Sequence, residues 1–157
     1  MRRYVILVLA LLLQVLDVTA AAARSEIVLN VAARERASYK RHCSSAEFEP
    51  AFINHVDFNN DGLPDIIVDH GAVTCDGKKG TACRDIGCPY NFYIQVAEGG
   101  YLFAANADLF GYDLMKRYGN MVLVLKADGV SCKKPVGEPC TIIIRVRNTA
   151  FETISKK

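Results

Sequence analysis

The chain has no Trp, and its 157 residues hold only three His and three Met. Without Trp, and with aromatic residues at 9% and scattered, the sequence offers no evident platform for stacking sugars. A large charge of one sign is also missing: 19 Lys and Arg face 17 Asp and Glu, a formal net charge of +2, which argues against a nucleic-acid binder. A hydrophobic content of 51% excludes a disordered chain, and the length suits one domain. Gly-x-Ser-x-Gly does not occur, so there is no nucleophile elbow, and the lack of Cys-x-x-Cys argues against a zinc site.

A long apolar run is missing as well. From Val5 to Leu16 the chain is apolar except at Gln14, but these 12 residues fall short of the roughly 20 that a spanning helix needs. Arg2 and Arg3 precede the run and Ala20, Ala21, Ala22 and Ala23 follow it, which is the layout of a secretory signal. Residues 1–23 are therefore expected to be removed, after Ala20, Ala22 or Ala23, leaving residues 24–157 as one exported domain without a membrane span. The remainder is close to charge balance, with 17 basic and 16 acidic side chains.

What is present begins with cysteine. Cys43, Cys75, Cys83, Cys88, Cys132 and Cys140 form an even set in a chain bound for an oxidising compartment, so three disulfides are expected among 15 possible connectivities. Cys132 with Cys140 would close one short connection between neighbouring strands. Cys75 with Cys88 would close another, leaving Cys43 for Cys83, although these last two pairings can be exchanged.

From Glu26 to about His42 the residues favour an amphipathic helix, with Val28, Val31, Ala32 and Tyr39 on one side and Arg34, Glu35, Arg36, Lys40 and Arg41 on the other. After Pro50 the texture is β. Strands are predicted at 51–56, 65–70, 90–97, 101–105, 109–116, 121–126, 141–147 and 150–154. Glu98-Gly99-Gly100, Tyr118-Gly119-Asn120 and Asn148-Thr149 supply hairpin turns. In 90–97, Tyr90, Phe92, Ile94 and Val96 alternate with Asn91, Tyr93, Gln95 and Ala97, implying one buried and one wet face. Tyr90, Tyr93, Tyr101, Phe103, Tyr112 and Tyr118 are expected in the core or in cross-strand pairs. The fold class read from this pattern is α+β: an amino-terminal helix packed on an antiparallel, mostly meandering sheet braced by disulfides.

One segment carries ion chemistry. In Asp57-Phe58-Asn59-Asn60-Asp61-Gly62-Leu63-Pro64-Asp65, oxygen-bearing side chains stand at positions 1, 3, 5 and 9, and Gly62 at position 6 permits a sharp turn. Calcium takes six to eight oxygens, and Asp57, Asn59, Asp61, Asp65 and the Leu63 carbonyl form a candidate structural set. Position 12 is Val68, and the flanks read as strands, so this is not an EF-hand. The stretch Val56 to Val68 resembles instead the calcium loop of FG-GAP or VCBS-type repeats, where such a turn joins two strands. That resemblance implies calcium in a structural role within a β-propeller blade. A single copy cannot close a propeller, so it bears on the loop and its ligands alone. The layout of signal, helix, loop and paired cysteines also resembles small secreted bacterial proteins.

The remaining candidates are weaker. With 57–65 as the turn, Val56 would face Ile66, His55 would face Ile67 and Phe52 would face His70. His55 and His70 would then lie about 10 Å apart on opposite faces, which disfavours a joint metal site. Asp69 beside His70 reads as polarity at a strand end. Lys78, Lys79, Arg84, Lys133 and Lys134 fall in the two cysteine-bearing connections, where they would form one positive rim for an acidic partner. The functional expectation is an exported binding or interaction module without enzymatic activity, acting on a protein or another component of the cell envelope. The alternative is a periplasmic inhibitor of an exogenous hydrolase, similar to lysozyme inhibitors. A third is a small hydrolase using Asp69 and His70.

Overall fold

The computed structural model describes residues 26–157, so the expected export signal lies outside the described residues. In chain order the elements are β1 Ile27–Val28, α1 Val31–Lys40, β2 Ala46–Phe48, β3 Ile53–Val56, β4 Asp65–Asp69, β5 Val73–Cys75 and β6 Lys78–Lys79, followed by six longer strands. These are β7 Cys88–Gln95, β8 Tyr101–Leu109, β9 Gly111–Arg117, β10 Asn120–Asp128, β11 Pro139–Arg147 and β12 Ala150–Lys156. The strands form three sheets, ordered β1-β8-β7-β4-β3, β12-β11-β10-β9 and β2-β5-β6, and every pairing is antiparallel.

Antiparallel sheet thus dominates, and α1, ten residues long, is the one α-helix among the described residues. The expected α+β class is corrected to a predominantly β fold. The helix is shorter than predicted because Asn30 stops it: its side-chain oxygen accepts from the Ala33 amide at 2.8 Å and caps the first turn. The β-branched Ile27 and Val28 upstream pair instead with Leu102 and Tyr101 at the edge of the five-stranded sheet.

Two cores explain the layering. Phe58, Ile67, Tyr90, Phe92, Ile94, Leu123 and Val146 pack in one core, uniting the five-stranded and four-stranded sheets. Val28, Val31, Phe52, Ile66, Val68 and Tyr93 pack in a second one, on the side of α1. The two central strands β4 and β7 are therefore covered on both faces. That is why Ile66, Ile67 and Val68 are consecutive buried residues, each worth about 1.5–3 kcal/mol of burial. It also corrects the wet face expected for β7, since Tyr93 is 2% exposed in the second core.

Turn chemistry follows the sequence closely. Tyr118 and Gly119 both take left-handed φ, 50° and 81°, between the paired Arg117 and Asn120, the conformation a two-residue hairpin of this twist demands. Tyr118 is consequently exposed at the tip and not in the core. The strand predicted to start at residue 109 starts at Gly111, because β8 continues through Leu109 and the chain passes between sheets at Phe110.

The disulfides are Cys43–Cys75, Cys83–Cys88 and Cys132–Cys140, with no free cysteine among the described residues. The last was expected; Cys75 with Cys88 and Cys43 with Cys83 are corrected. Two unpredicted strands decide the first exchange: β2 pairs with β5 so that Ala46 lies opposite Cys75, and Ser45 and Asp76 bond across the same end. The second follows from a tight reversal in which Arg84 and Gly87 exchange backbone hydrogen bonds of 2.8 and 3.0 Å. Gly87 is needed there, since at φ 122° a Cβ would stand 2.5 Å from the Leu109 carbonyl carbon. Three disulfides are features of an oxidising, extracytoplasmic compartment. No helix among the described residues is long and apolar enough to cross a membrane.

Candidate functional site

Three places gather polar or apolar groups in ways that ordinary strand packing does not require. The first is the loop joining β3 to β4. Asp57 spans it with both oxygens: Oδ1 accepts from the amides of Asn60 and Asp61 at 2.7 and 3.1 Å, and Oδ2 accepts from Gly62 at 3.0 Å. Asp65 accepts from Phe58 and Asn59 on Oδ2 and from Gln95 on Oδ1, at 3.1, 3.3 and 3.0 Å. Burial nevertheless pushes the Asp65 carboxyl up to about 6, against the lowering effect of those three amides. Asn59 and Asp61 bond to each other through Nδ2 and Oδ2 at 2.8 Å.

Register differs from expectation here. Asp65 enters the ladder opposite Val56, and His55 lies opposite Ile66, one step from the predicted pairing. The loop is thus residues 57–64, and Asp65 closes it as a strand residue whose side chain reaches back to the loop amides.

Asn60, which is not among the ligand-type positions of the motif, docks this loop on the four-stranded sheet. Its Oδ1 accepts from the Met121 amide at 2.5 Å and its Nδ2 donates to the Met121 carbonyl at 3.1 Å. The side-chain amide therefore stands in for a neighbouring strand. Its left-handed φ of 66° is the local signal, because Asn tolerates that conformation better than most residues.

The donor chemistry of the loop suits a hard cation: three carboxylates, one amide oxygen and the Leu63 carbonyl. Their directions are less complete, because Asp57 and Asp65 already accept three amides each. Among the described residues no three His, Cys, Asp or Glu side chains converge as a metal-holding group.

The second place is a buried polar cluster between α1 and the five-stranded sheet. His70 Nδ1 lies 2.7 Å from Tyr39 Oη and Nε2 lies 3.0 Å from Asn91 Nδ2 and 3.6 Å from Glu35 Oε2. Asn91 Nδ2 and Tyr93 Oη donate to Glu35 Oε1. With Asn91 donating to Nε2, the ring proton belongs on Nδ1. Burial lowers His70 more than Glu35 and Asp69 raise it, and burial likewise pushes Tyr39 up to about 12. Asp69 does not pair with His70. It ends β4, accepting from Tyr90 Oη at 2.9 Å and from the Gly71 amide at 2.8 Å. His55 is exposed, away from this cluster. The cluster was hidden in the sequence because Glu35, His70 and Asn91 come from three distant elements.

The third place is an apolar cavity of about 390 Å³ at one end of the space between the two larger sheets. Leu109, Leu125, Ala127, Ile142 and Ile144 form its wall. Ile86 from the Cys83–Cys88 loop and Val130 from the 3-10 turn leading into Cys132 flank it. Two acids on its lining are already held. Asp108 pairs with Arg84, while Asp128 accepts from the amides of Val130 and Gly137, which keep its carboxyl below the usual carboxylate range.

The predicted basic rim is divided. Arg84 and the Lys133–Lys134 segment belong to the two loops beside the cavity, whereas Lys78 and Lys79 form β6 in the small sheet. Lys79 pairs with Glu49 at 2.6 Å, and Lys134 Nζ donates to the Pro139 carbonyl at 3.1 Å. Lys133 sits at the end of the 3-10 turn with φ 61°.

No family model, curated protein or solved structure matches the chain.

Proposed function

We propose that the chain is an exported, non-enzymatic binding module of the periplasm or extracellular medium, which takes its ligand at the end where two disulfide-closed loops flank the inter-sheet cavity. The cavity is the observation that carries this reading. Its volume lies within the roughly 300–1,000 Å³ common for small-molecule sites, and its wall is aliphatic with a few polar groups at the margin. Disulfides close both flanking loops, which lowers the ordering cost of binding. The polar groups best suited to acid-base work, Glu35 and His70, are instead held by Tyr39, Asn91 and Tyr93 inside the molecule.

In the same reading calcium braces the loop of residues 57–64. Asp57, Asn59, Asp61, the Leu63 carbonyl and Asp65 would hold it, as the resemblance to FG-GAP and VCBS loops suggests. The ion would supply positive charge to a turn built on three carboxylates, and Asn60 would pass that rigidity to β10. With an extracellular-type dissociation constant of about 0.1–1 mM, a tenfold excess of calcium adds about 1.4 kcal/mol of stability. A melting temperature that is the same in calcium and in chelator removes calcium from the proposal.

The binding reading is tested by native mass spectrometry of the chain isolated from its own compartment. One small molecule per chain, released by Ala107→Leu at the cavity wall, is the expected result. Turnover of ester or glycoside substrates that is lost in a folded His70→Ala variant overturns the reading in favour of a hydrolase.

A further inference from the structure

Resting on the binding-module reading, we infer that the cavity takes a single-chain anionic amphiphile, its alkyl tail between the sheets and its acidic head at Lys156. Leu109, Leu125, Ile142 and Ile144 offer no hydrogen-bonding side chain, so the part of a ligand packed against them must be hydrocarbon; the neutral hydroxyls on the lining are those of Ser131 and Thr153. At about 390 Å³ the space lies near the small end of ligand pockets, which suits one flexible chain better than a large ring system.

Charge at the margin selects the head. Lys156, on the last strand, lines the cavity, and its Nζ donates at 3.0 Å to the Ser131 carbonyl. Among the described residues no carboxylate lies within ion-pair distance of it. Of the two acids on the lining, Asp108 is charge-matched by Arg84, while Asp128 stays a carboxylate that accepts from the amides of Val130 and Gly137 and forms no ion pair with Lys156. Lys156 is therefore the cation of the lining, with donors to spare beside an apolar hole. A carboxylate, sulfate or phosphate monoester head meets it with a charge-assisted hydrogen bond, whereas a quaternary ammonium head is repelled. The Ser131 contact ties this cation to the 3-10 turn that leads into Cys132, next to the Cys132–Cys140 bridge, so its position is held before the ligand arrives.

Calorimetric titration of the full chain with decanoate, decanol and decyltrimethylammonium, each below its micelle concentration, tests this assignment. The expected result is one decanoate per chain, bound at least tenfold more tightly than decyltrimethylammonium. Lys156→Gln should bring the two within about twofold, and Val130→Trp, which inserts a ring from an exposed position, should weaken all three probes at least tenfold. Ala107→Leu serves the same purpose from within if the tryptophan variant does not fold. Equal binding of decanoate and the ammonium by the unmodified chain overturns the anionic head while leaving the cavity as a binding site. The absence of saturable binding for all three overturns the binding-module reading with it.

Discussion

Removing the Asp65 side chain tests how far the loop between β3 and β4 depends on one buried carboxylate. Asp65 is fully buried and accepts from the amides of Phe58, Asn59 and Gln95. Asp65→Ala leaves those three donors without this acceptor. A buried unsatisfied donor costs about 1–3 kcal/mol, and Gln95, at the end of β7, has the easiest route to water. The sum for the two loop amides, with a smaller share for Gln95, is about 3–5 kcal/mol, a large part of the 5–15 kcal/mol typical of a domain. In urea, with disulfides intact, this is a midpoint lowered by about 2 M. Asp65→Asn keeps one oxygen but turns an NH2 toward the other donors, and it should cost about 1–3 kcal/mol.

The pH dependence gives an independent sign. Burial raises Asp65 from 3.8 to about 6, so the folded state holds its proton more tightly than the unfolded state. Its stabilising contribution is complete below pH 3.8 and is lost as pH rises through about 6. The stability difference between the unmodified chain and Asp65→Asn should therefore shrink over that interval. An alanine variant within 1 kcal/mol of the unmodified chain would refute the reasoning, because the amides would then be satisfied without Asp65.

Other residues give shorter tests. His70 is held below its ordinary 6.5 by burial, so its contribution is fully present above pH 6.5 and falls as pH drops below it, by up to about 1.4 kcal/mol per pH unit; the slope, measured by urea unfolding against pH, should vanish in His70→Gln. Asn60→Ala deletes both bonds to Met121 and should cost about 1–2 kcal/mol, with faster hydrogen exchange at the Met121 amide as the local readout. Replacing Cys43 and Cys75 together by Ala opens the longest disulfide loop, with a sequence separation of 32, and should cost about 4 kcal/mol. The same change at Cys83 and Cys88, separated by 5, should cost about 2 kcal/mol, so equal melting temperatures for the two double variants would contradict the loop-length argument.

Local chemistry made much of the fold legible. Eight strands were readable because Gly and Asn mark the turns between apolar runs, and turns such as Tyr118-Gly119 act through backbone conformations that their own residues permit. The same locality exposed the Asp57–Asp65 loop, whose ligand-type residues lie within nine positions, and the Cys132–Cys140 bridge, whose partners are separated by 8. The short strands β2, β5 and β6 were missed, since two or three residues carry no readable period and their order comes from pairing.

By itself the sequence determined the β texture, the turns, the even set of cysteines and the composition of one oxygen-rich loop, all of which depend on residues close together in the chain. Tertiary structure alone decided which cysteines meet, because Cys43 reaches Cys75 only when β2 pairs with β5. It decided that β4 and β7 are buried on both faces, and that Asn60 bridges to a residue 61 positions away. It also decided that His70 meets Glu35, and that four strands and two connecting segments line a cavity whose cation with spare donors is Lys156. The physical reason is common to all of these: burial and hydrogen bonding act between groups that only the folded chain brings within a few ångströms.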